Sequence, residues 1–461
     1  MAEARCPETR RNALPVRTID AHFTLTTPAF VGGAGDGSAK PAFLRVPTIM
    51  GLVRFWWRAL AWREVAAMPD PIAELGRGEA RLFGAAARDD GTGGRSGGQG
   101  AVLARLVDGP AQRSFPTVGP ADRTFAYGAE TKEGLAYLAG QGLKGRGSLP
   151  AGEEFTLRLI CRPKASEHDL EQIIRAIRCL GLVGGIGARN RRGFGSLALR
   201  KIVDSAGKHE WLGPRCVEEY RNDLETLLAG HRANVDVPFT AFSNVTQLWL
   251  AKAPANSDVA DWHEAQGFSF QYFRSKGLGG MLGGKAARSI LPGDPIYPDI
   301  DWFDQIAMSP PTLLPRAPVR AVFGLPHNYR SGTRRFQKLN NRGRPIMRNG
   351  EPVMVNHQAA VTAVVPAAAT GGAKSDRRAS PLFLHLHQMT DPSTNQEEIA
   401  AVWLLMPAVF LPPATGNGPG QVEIKPNNMA SGKRNFSPNW SIVYEFFQSL
   451  ATRHDATRII P

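Results

Sequence analysis

Short alternating runs and stretches of helical spacing take turns along the first half of the chain. Ile19, Ala21, Phe23 and Leu25 fall on one face of a strand near 18–26, because successive strand side chains point to opposite faces. Pro47-Thr48 then reads as a helix entry, and Ile49, Leu52, Val53, Trp56 and Leu60 form the buried stripe of a helix over 48–67. Strands follow near 101–107 and 153–162. Leu170, Ile173, Ile174, Ile177 and Leu180 repeat at the spacing of a helix over 167–183. From Phe194 the pattern returns to alternation through Leu197, Leu199 and Ile202, a strand over 194–203. The order β-α-β-β-α-β is the split βαβ, ferredoxin-like arrangement. The glycines between Asp89 and Gly100 predict a surface loop. Residues 110–150 read as an insertion, and a helix near 215–229 as packing back on this unit.

The pattern breaks around His231–Pro238, which divides the chain into units 1–235 and 236–461. The second starts with alternation over Phe239–Leu250, then a helix within Asp258–Ser275 and strands at Val319–Leu325 and Ser380–Met389. Val402–Leu411 is apolar but holds Pro407, which suits an edge strand. Phe436–Thr452 is an amphipathic helix through Trp440, Val443, Tyr444, Phe447 and Leu450. The chain then runs only to Pro461, too short for a second glycine loop and a full final strand, so the second unit reads as a degenerate copy.

Between the helix at 167–183 and the strand at 194–203 lies Gly184-Gly185-Ile186-Gly187-Ala188-Arg189-Asn190-Arg191-Arg192-Gly193-Phe194-Gly195-Ser196, with five glycines, three arginines and no acid. Glycine lets backbone N–H groups turn toward an anion. Arginine adds planar donors that fork onto phosphate and stack on bases. Gly184, Gly185, Gly187, Arg189, Asn190, Arg191 and Arg192 are therefore candidate RNA ligands. The dinucleotide fingerprint fits poorly: Asn190 stands where its third glycine should be, and its relaxed form at Gly193-x-Gly195-x-x-Ala198 leads into a strand. On the first helix Arg54 and Arg58 sit four residues apart, so both project from one side, with Arg45 just upstream.

The glycine loop resembles the glycine-rich signature of the RAMP superfamily of CRISPR RNA-binding proteins. Pro28-Ala29-Phe30-Val31-Gly32-Gly33-Ala34, followed by Gly51-Leu52-Val53-Arg54-Phe55-Trp56-Trp57-Arg58, is similar to the N-terminal signature of the Cmr one family, a RAMP subunit of type III-B effector complexes. Phe323-Gly324-Leu325-Pro326 and Arg377-Arg378-Ala379-Ser380-Pro381-Leu382 look like the C-terminal signature of that family. One position departs from it: Met50 stands where many RAMP proteins carry a basic residue. The resemblance implies an α+β chain of two ferredoxin-like (RRM-like) RAMP domains. It also implies a subunit without cleavage activity that contacts the 3′ region of CRISPR RNA, target RNA, or both, at the head of a type III-B complex beside other RAMP subunits.

Composition strengthens the polyanion reading. Fifty-five basic residues against 41 acidic ones give a net charge of +14, and 42 of the basic residues are arginine. From Arg316 to Arg348 there are nine basic residues and no acid, with Tyr329 and Phe336 interleaved. That pattern suits single-stranded RNA, where bases stack and phosphates are tracked. It adds Arg330, Arg334 and Arg335 to the candidates, with Arg377 and Arg378 downstream. The four cysteines are widely spaced, which argues against a zinc ribbon or disulfide framework and for a reducing cytoplasm. No apolar run reaches membrane-spanning length.

Two enzymatic readings are weaker. Gly279-x-x-x-x-Gly284-Lys285-Ala286 lacks the Ser/Thr of a phosphate-binding Walker loop, so Lys276 and Lys285 read as further RNA contacts instead of nucleotide ligands. His22 on the first strand and Asp36 in the next loop occupy places where some RAMP proteins keep a cleavage residue. Neither has a recognisable partner, and stand-alone cleavage of CRISPR precursor RNA is the alternative function. His385 and His387 share a strand face with no evident third metal ligand. No catalytic residue, metal or cofactor is expected.

Overall fold

The structure is a computed structural model. It describes residues 16–32, 43–89, 95–108, 133–140, 143, 147–233, 237–276, 281–282, 285–286, 299, 302–303, 306, 316–338, 340, 344–366, 376–413, 418–428 and 430–460. The first unit contains β1 (Thr18–Leu25), α1 (Val46–Val65), α2 (Pro71–Phe83), β2 (Val102–Leu106), α3 (Glu133–Ala139), β3 (Glu154–Cys161), α4 (Glu167–Val183), β4 (Leu197–Asp204) and α5 (Val217–Leu228). Its sheet runs β2-β3-β1-β4, with Trp211–Leu212 added beyond β4. Every pairing is antiparallel. This is the ferredoxin-like order. The glycine-rich stretch after Phe83 is in part a hairpin, with Ala85–Asp89 paired to Arg95–Gly98.

α1 and α4 form because their apolar stripes cover one sheet face. Ile49, Val53, Trp56, Ile173, Ile177 and Leu180 pack with Phe23, Leu25, Phe155 and Leu157 in one core. α4 is also well started: Ser166 Oγ accepts from Asp169 N, and the Asp169 carboxylate accepts from Ser166 N, both at 3.1 Å. α5 packs back as expected, with Tyr220 buried and its hydroxyl donating to Leu182 O.

The remaining elements are β5 (Gln247–Lys252), α6 (Val259–Lys276), β6 (His327–Gln337), β7 (Met354–Val364), β8 (Leu382–Asp391), β9 (Gln396–Leu405), β10 (Gln421–Pro426), β11 (Gly432–Asn435), α7 (Ser441–His454) and β12 (Thr457–Ile460). One sheet runs β8-β9-β5-β12. With α6 after β5 and α7 before β12, the second unit repeats the β-α-β-β-α-β order. The chain nevertheless ends in a short strand: β12 pairs with β5, four residues long and interrupted by a bulge instead of a full final strand. No glycine loop precedes it. α7 instead ends at Asp455, whose φ of 49° turns the chain directly into the strand.

The run through Val402 is not an edge strand. β9 lies inside the sheet, between β8 and β5, and Pro407 falls beyond its end. Its residues are apolar on both sides because both faces are covered. Phe383, Met389, Ala400, Val402 and Leu404 join the core of the first unit. Leu384, Leu386, Ala401, Trp403 and Leu405 face α6 and α7 through Phe270, Phe273, Phe446 and Phe447. Val319–Leu325, expected as a strand, is a 3-10 turn over Val319–Phe323.

A third antiparallel sheet, β6-β7-β10-β11, takes the middle third of the acid-free segment as its edge strand β6. Its apolar side holds Trp302, Phe303, Tyr329, Val361, Val422, Ile424 and Phe410. No helix among the described residues is long and apolar enough to cross a membrane.

Candidate nucleic-acid interface

The two N-terminal motifs are one structure. The amide of Ala188 donates to Phe30 O and that of Gly195 to Pro28 O, both at 2.8 Å. Ser196 N donates to Thr27 Oγ1 at 2.9 Å, while the Thr27 hydroxyl donates to Gly193 O at 2.6 Å. Ile186 N donates to Gly195 O and Arg192 N to Arg189 O. These amides therefore hold the loop's shape, where the sequence suggested donors turned toward an anion. The glycines serve close approach. Gly187 has φ +80°, and a Cβ there would lie 2.6 Å from Phe30 O; a Cβ on Gly184 would lie 2.6 Å from Trp56 Nε1; one on Gly185 would lie 2.7 Å from Gly195 O. Gly193, at φ +83°, admits His263, whose ring bonds Arg192 O at 2.8 Å.

The loop arginines point different ways. Arg189 is exposed, has φ +62°, and donates from Nε to Ala139 O at 3.0 Å. Asn190 Nδ2 donates to Gly185 O at 3.0 Å. Arg191 is half-buried: Nη1 donates to Ser380 O, and the guanidinium lies 4.4 Å from the Phe383 ring. Arg192, also half-buried, donates to Phe323 O at 3.3 Å and lies 4.5 Å from Phe270. Both tie the first unit to the second. Burial, with Arg378 near Arg191 and Arg274 near Arg192, lowers their pKa values to about 10 and about 9. Both stay cationic at neutral pH.

The remaining candidates divide by partner. Arg45 is exposed just before α1. Arg54 donates to Phe83 O at 2.8 Å and Gly84 O at 3.0 Å, and Arg58 meets Glu79 at 2.7 Å, so this pair clamps α2. Arg330 and Arg335 are exposed on β6, with Arg335 donating to Met354 O at 3.3 Å. Arg377 is exposed. Arg378 is half-buried against Phe410 at 5.6 Å and donates to Val409 O at 3.3 Å. The side chains of Lys276, Lys285 and Arg334, and all of Asp36, lie outside the described residues.

Tyr329 corrects the stacking expectation. Only 6% exposed, it packs inside the third sheet's core, and its hydroxyl donates to Asp299 Oδ2 at 2.8 Å. Alternation explains this, because Tyr329 points inward where Arg330 points out. Phe336 is half-buried.

The histidines are engaged structurally. His22 Nδ1 lies 3.0 Å from Thr156 Oγ1, and burial together with Lys201 lowers its pKa. His385 Nδ1 donates to Gly184 O at 2.7 Å, its Nε2 lies 3.2 Å from His387 Nδ1, and His387 stacks on Tyr220 at 4.3 Å. This pair joins β8 to the start of the glycine loop. No cluster of three His, Cys, Asp or Glu suited to a metal ion occurs among the described residues.

Arg274 on α6, Arg320 and His327 are functional candidates that no sequence motif marks. Arg274 and His327 gather beside Arg192, and Arg320 lies against Arg274. Arg320 stands in the acid-free segment, so its charge was visible there. Arg274 carried no signal beyond ending an apolar helix face.

Residues 22–198 match the family model of the RAMP superfamily. The matched segment runs from within β1 to the start of β4, so it covers most of the first sheet and the glycine loop. No curated protein matches the sequence. Among solved structures, Cmr1 from Pyrococcus furiosus in its apo form is similar, with TM-score 0.49 and 13% identity, covering 96% of this chain and 98% of that one. A chain of the type III-B Cmr-beta complex bound to cognate target RNA gives TM-score 0.45 and 11% identity, covering 95% and 99%.

Proposed function

Taking the chain as a RAMP-superfamily protein, we propose that it is an RNA-binding subunit of a cytoplasmic type III-B CRISPR effector complex, without cleavage activity of its own. In this reading it sits at the head of the complex, against the 3′ region of CRISPR RNA, target RNA, or both, and touches other RAMP subunits. The observation that carries it is the interlocked pair of motifs at Pro28–Val31 and Gly184–Ser196, within the segment that matches the superfamily. The exposed arginines Arg45, Arg189, Arg330, Arg335 and Arg377 are the groups through which we expect phosphate contact. Arg54, Arg58, Arg191, Arg192 and Arg378 would contribute less, because part of each guanidinium is already committed to protein. Recognition would follow backbone shape and charge, since a guide-dependent machine cannot read one fixed sequence.

The test is titration of labelled single-stranded RNA at several salt concentrations. Wild type should bind with little sequence preference, and each lost phosphate contact should lower the log–log salt slope by about 0.7. Arg330→Glu/Arg335→Glu should weaken capture while leaving melting unchanged, because both side chains are exposed. Unchanged affinity and slope would remove β6 from the interface. Cutting of precursor RNA by the purified protein would favour the stand-alone ribonuclease instead.

A further inference from the structure

Three guanidinium groups meet where the glycine loop, α6, the Val319–Phe323 turn and β6 come together. Arg192 and Arg274 share one aromatic ring, lying 4.5 Å and 5.4 Å from the Phe270 centroid. Arg274 also lies over Phe323 at 5.5 Å and Tyr137 at 5.6 Å. Arg320 donates from Nη1 to Arg274 O, and from Nε to Asp299 Oδ2, each at 3.3 Å. Arg274 Nη2 donates to His327 Nε2 at 3.0 Å, which leaves the His327 proton on Nδ1. Burial, reinforced by Arg274, Arg320 and Arg192, holds that imidazole neutral.

The polar groups left over are all of one kind. Arg192 Nη1 and Arg274 Nε are buried without a hydrogen-bond partner, while the His327 ring N–H is directed at the Arg320 backbone. Each is a donor. The charges are equally one-sided: Asp299 is the acid that bears on Arg320 and Arg274, and the cations that act on Arg192 are Arg274, Arg189 and Arg191, so among the described residues positive charge is in excess. Aromatic faces attract cations and hold them in place, but they accept no strong hydrogen bond and carry no net charge. A cluster built for stability alone would contain acceptors.

We propose that Arg192, Arg274, Arg320 and His327 form a pocket for a single phosphate group. Phosphate supplies several acceptor oxygens and the missing negative charge, and guanidinium pairs with it through two parallel bonds. All four side chains are half-buried, so an anion can approach the outer edges of the guanidinium groups, and the sealed donors can turn to meet it. The phosphate can belong to RNA or to a small phosphorylated molecule. The pocket's chemistry is the same for both, and it does not depend on the RNA reading above.

The test uses the full chain and inorganic phosphate, followed by calorimetry against chloride at matched ionic strength. Wild type should bind about one equivalent. Arg274→Gln should weaken binding at least tenfold, Arg274→Lys should retain part of it, and Arg77→Gln, on exposed α2, should have no effect. Asp299→Asn supplies the opposite sign: removing the carboxylate should tighten phosphate binding severalfold even where it lowers the melting temperature. Competition then separates the sources. Displacement of phosphate by single-stranded RNA identifies RNA as the occupant, while full RNA affinity in saturating phosphate, with adenosine monophosphate competing, identifies a small ligand. No saturable binding by wild type, or equal affinity in wild type, Arg274→Gln and Asp299→Asn, overturns the pocket whatever the RNA titrations show.

Discussion

Gly195 and Gly207 share φ +66° but not their surroundings, which separates two costs that glycine substitutions usually mix. A Cβ at Gly207 meets nothing within 4 Å, whereas one at Gly195 would collide with Ile186 O and lie 3.3 Å from Ala29 Cβ. For Gly207→Ala the only penalty is the left-handed backbone, about 1–2 kcal/mol. For Gly195→Ala the same penalty applies, and overpacking adds about 1–3 kcal/mol. The upper end is expected, because the obstacle is a carbonyl held by the loop's own ladder and cannot swing aside like a side chain. Gly195→Ala should thus lose about 3–5 kcal/mol and Gly207→Ala about 1–2 kcal/mol. Urea unfolding followed by tryptophan fluorescence measures both, read at a common slope so that only the midpoint reports stability. Equal losses would refute the argument, since they would mean the loop does not need its close contact with the Pro28–Val31 segment. A larger loss at Gly207 would refute it more strongly.

The loop arginines should separate in the same experiment: Arg192→Ala is expected to cost about 2 kcal/mol, from a desolvated cation–π contact and a hydrogen bond to Phe323 O, whereas exposed Arg189→Ala should stay within about 0.5 kcal/mol. Equal melting of the two would contradict the interdomain role of Arg192. Acid should weaken the fold through His385, whose pKa burial lowers from 6.5 to about 4. The unfolded chain then binds the extra proton, so this contribution is full above about pH 6.5 and is lost as pH falls toward 4, at up to about 1.4 kcal/mol per pH unit. His385→Gln should flatten the stability profile in that window, and an unchanged profile would place the proton elsewhere. His22→Ala should leave target cutting by a reconstituted complex intact, and loss of cutting with normal assembly would assign His22 a chemical role.

The first sheet was legible because its central strand is eight residues long and alternates cleanly, and because its helices carry stripes that only one face can bury. β12 was not, since Thr457 and Arg458 are exposed and only Ile459 and Ile460 face the core. Two buried positions make no period. β9 was misplaced for the opposite reason: a strand covered on both faces shows apolar residues at every step, and Pro407 drew attention to an edge that lies elsewhere. The third sheet was hidden by its own charge. Arg330 and Arg335 mark one side of β6 while Tyr329 marks the other, a half-buried strand that resembles a solvated basic run until Val361 and Ile424 are placed behind it.

The candidate site followed the same rule. Charge was visible in the sequence, but whether a guanidinium meets solvent, a carbonyl or a ring depends on contacts between residues far apart in the chain. Arg191 reaches Ser380 and Arg192 reaches Phe323 across more than a hundred positions. No local pattern reports such a pairing. Arg189 is the informative exception: it sits between the same glycines, is exposed, and takes a left-handed φ that arginine seldom adopts. The backbone strain at Arg189 is borne by the bonds of Ala188 and Gly195 to the first strand's loop, so the N-terminal motif decides where this charge points. Removing that support by Gly195→Ala should therefore disturb RNA binding through Arg189 in protein that is still folded. The check is RNA affinity at low temperature, where the variant remains native: a loss no greater than that of Gly207→Ala would show that the loop's shape and its charge act independently.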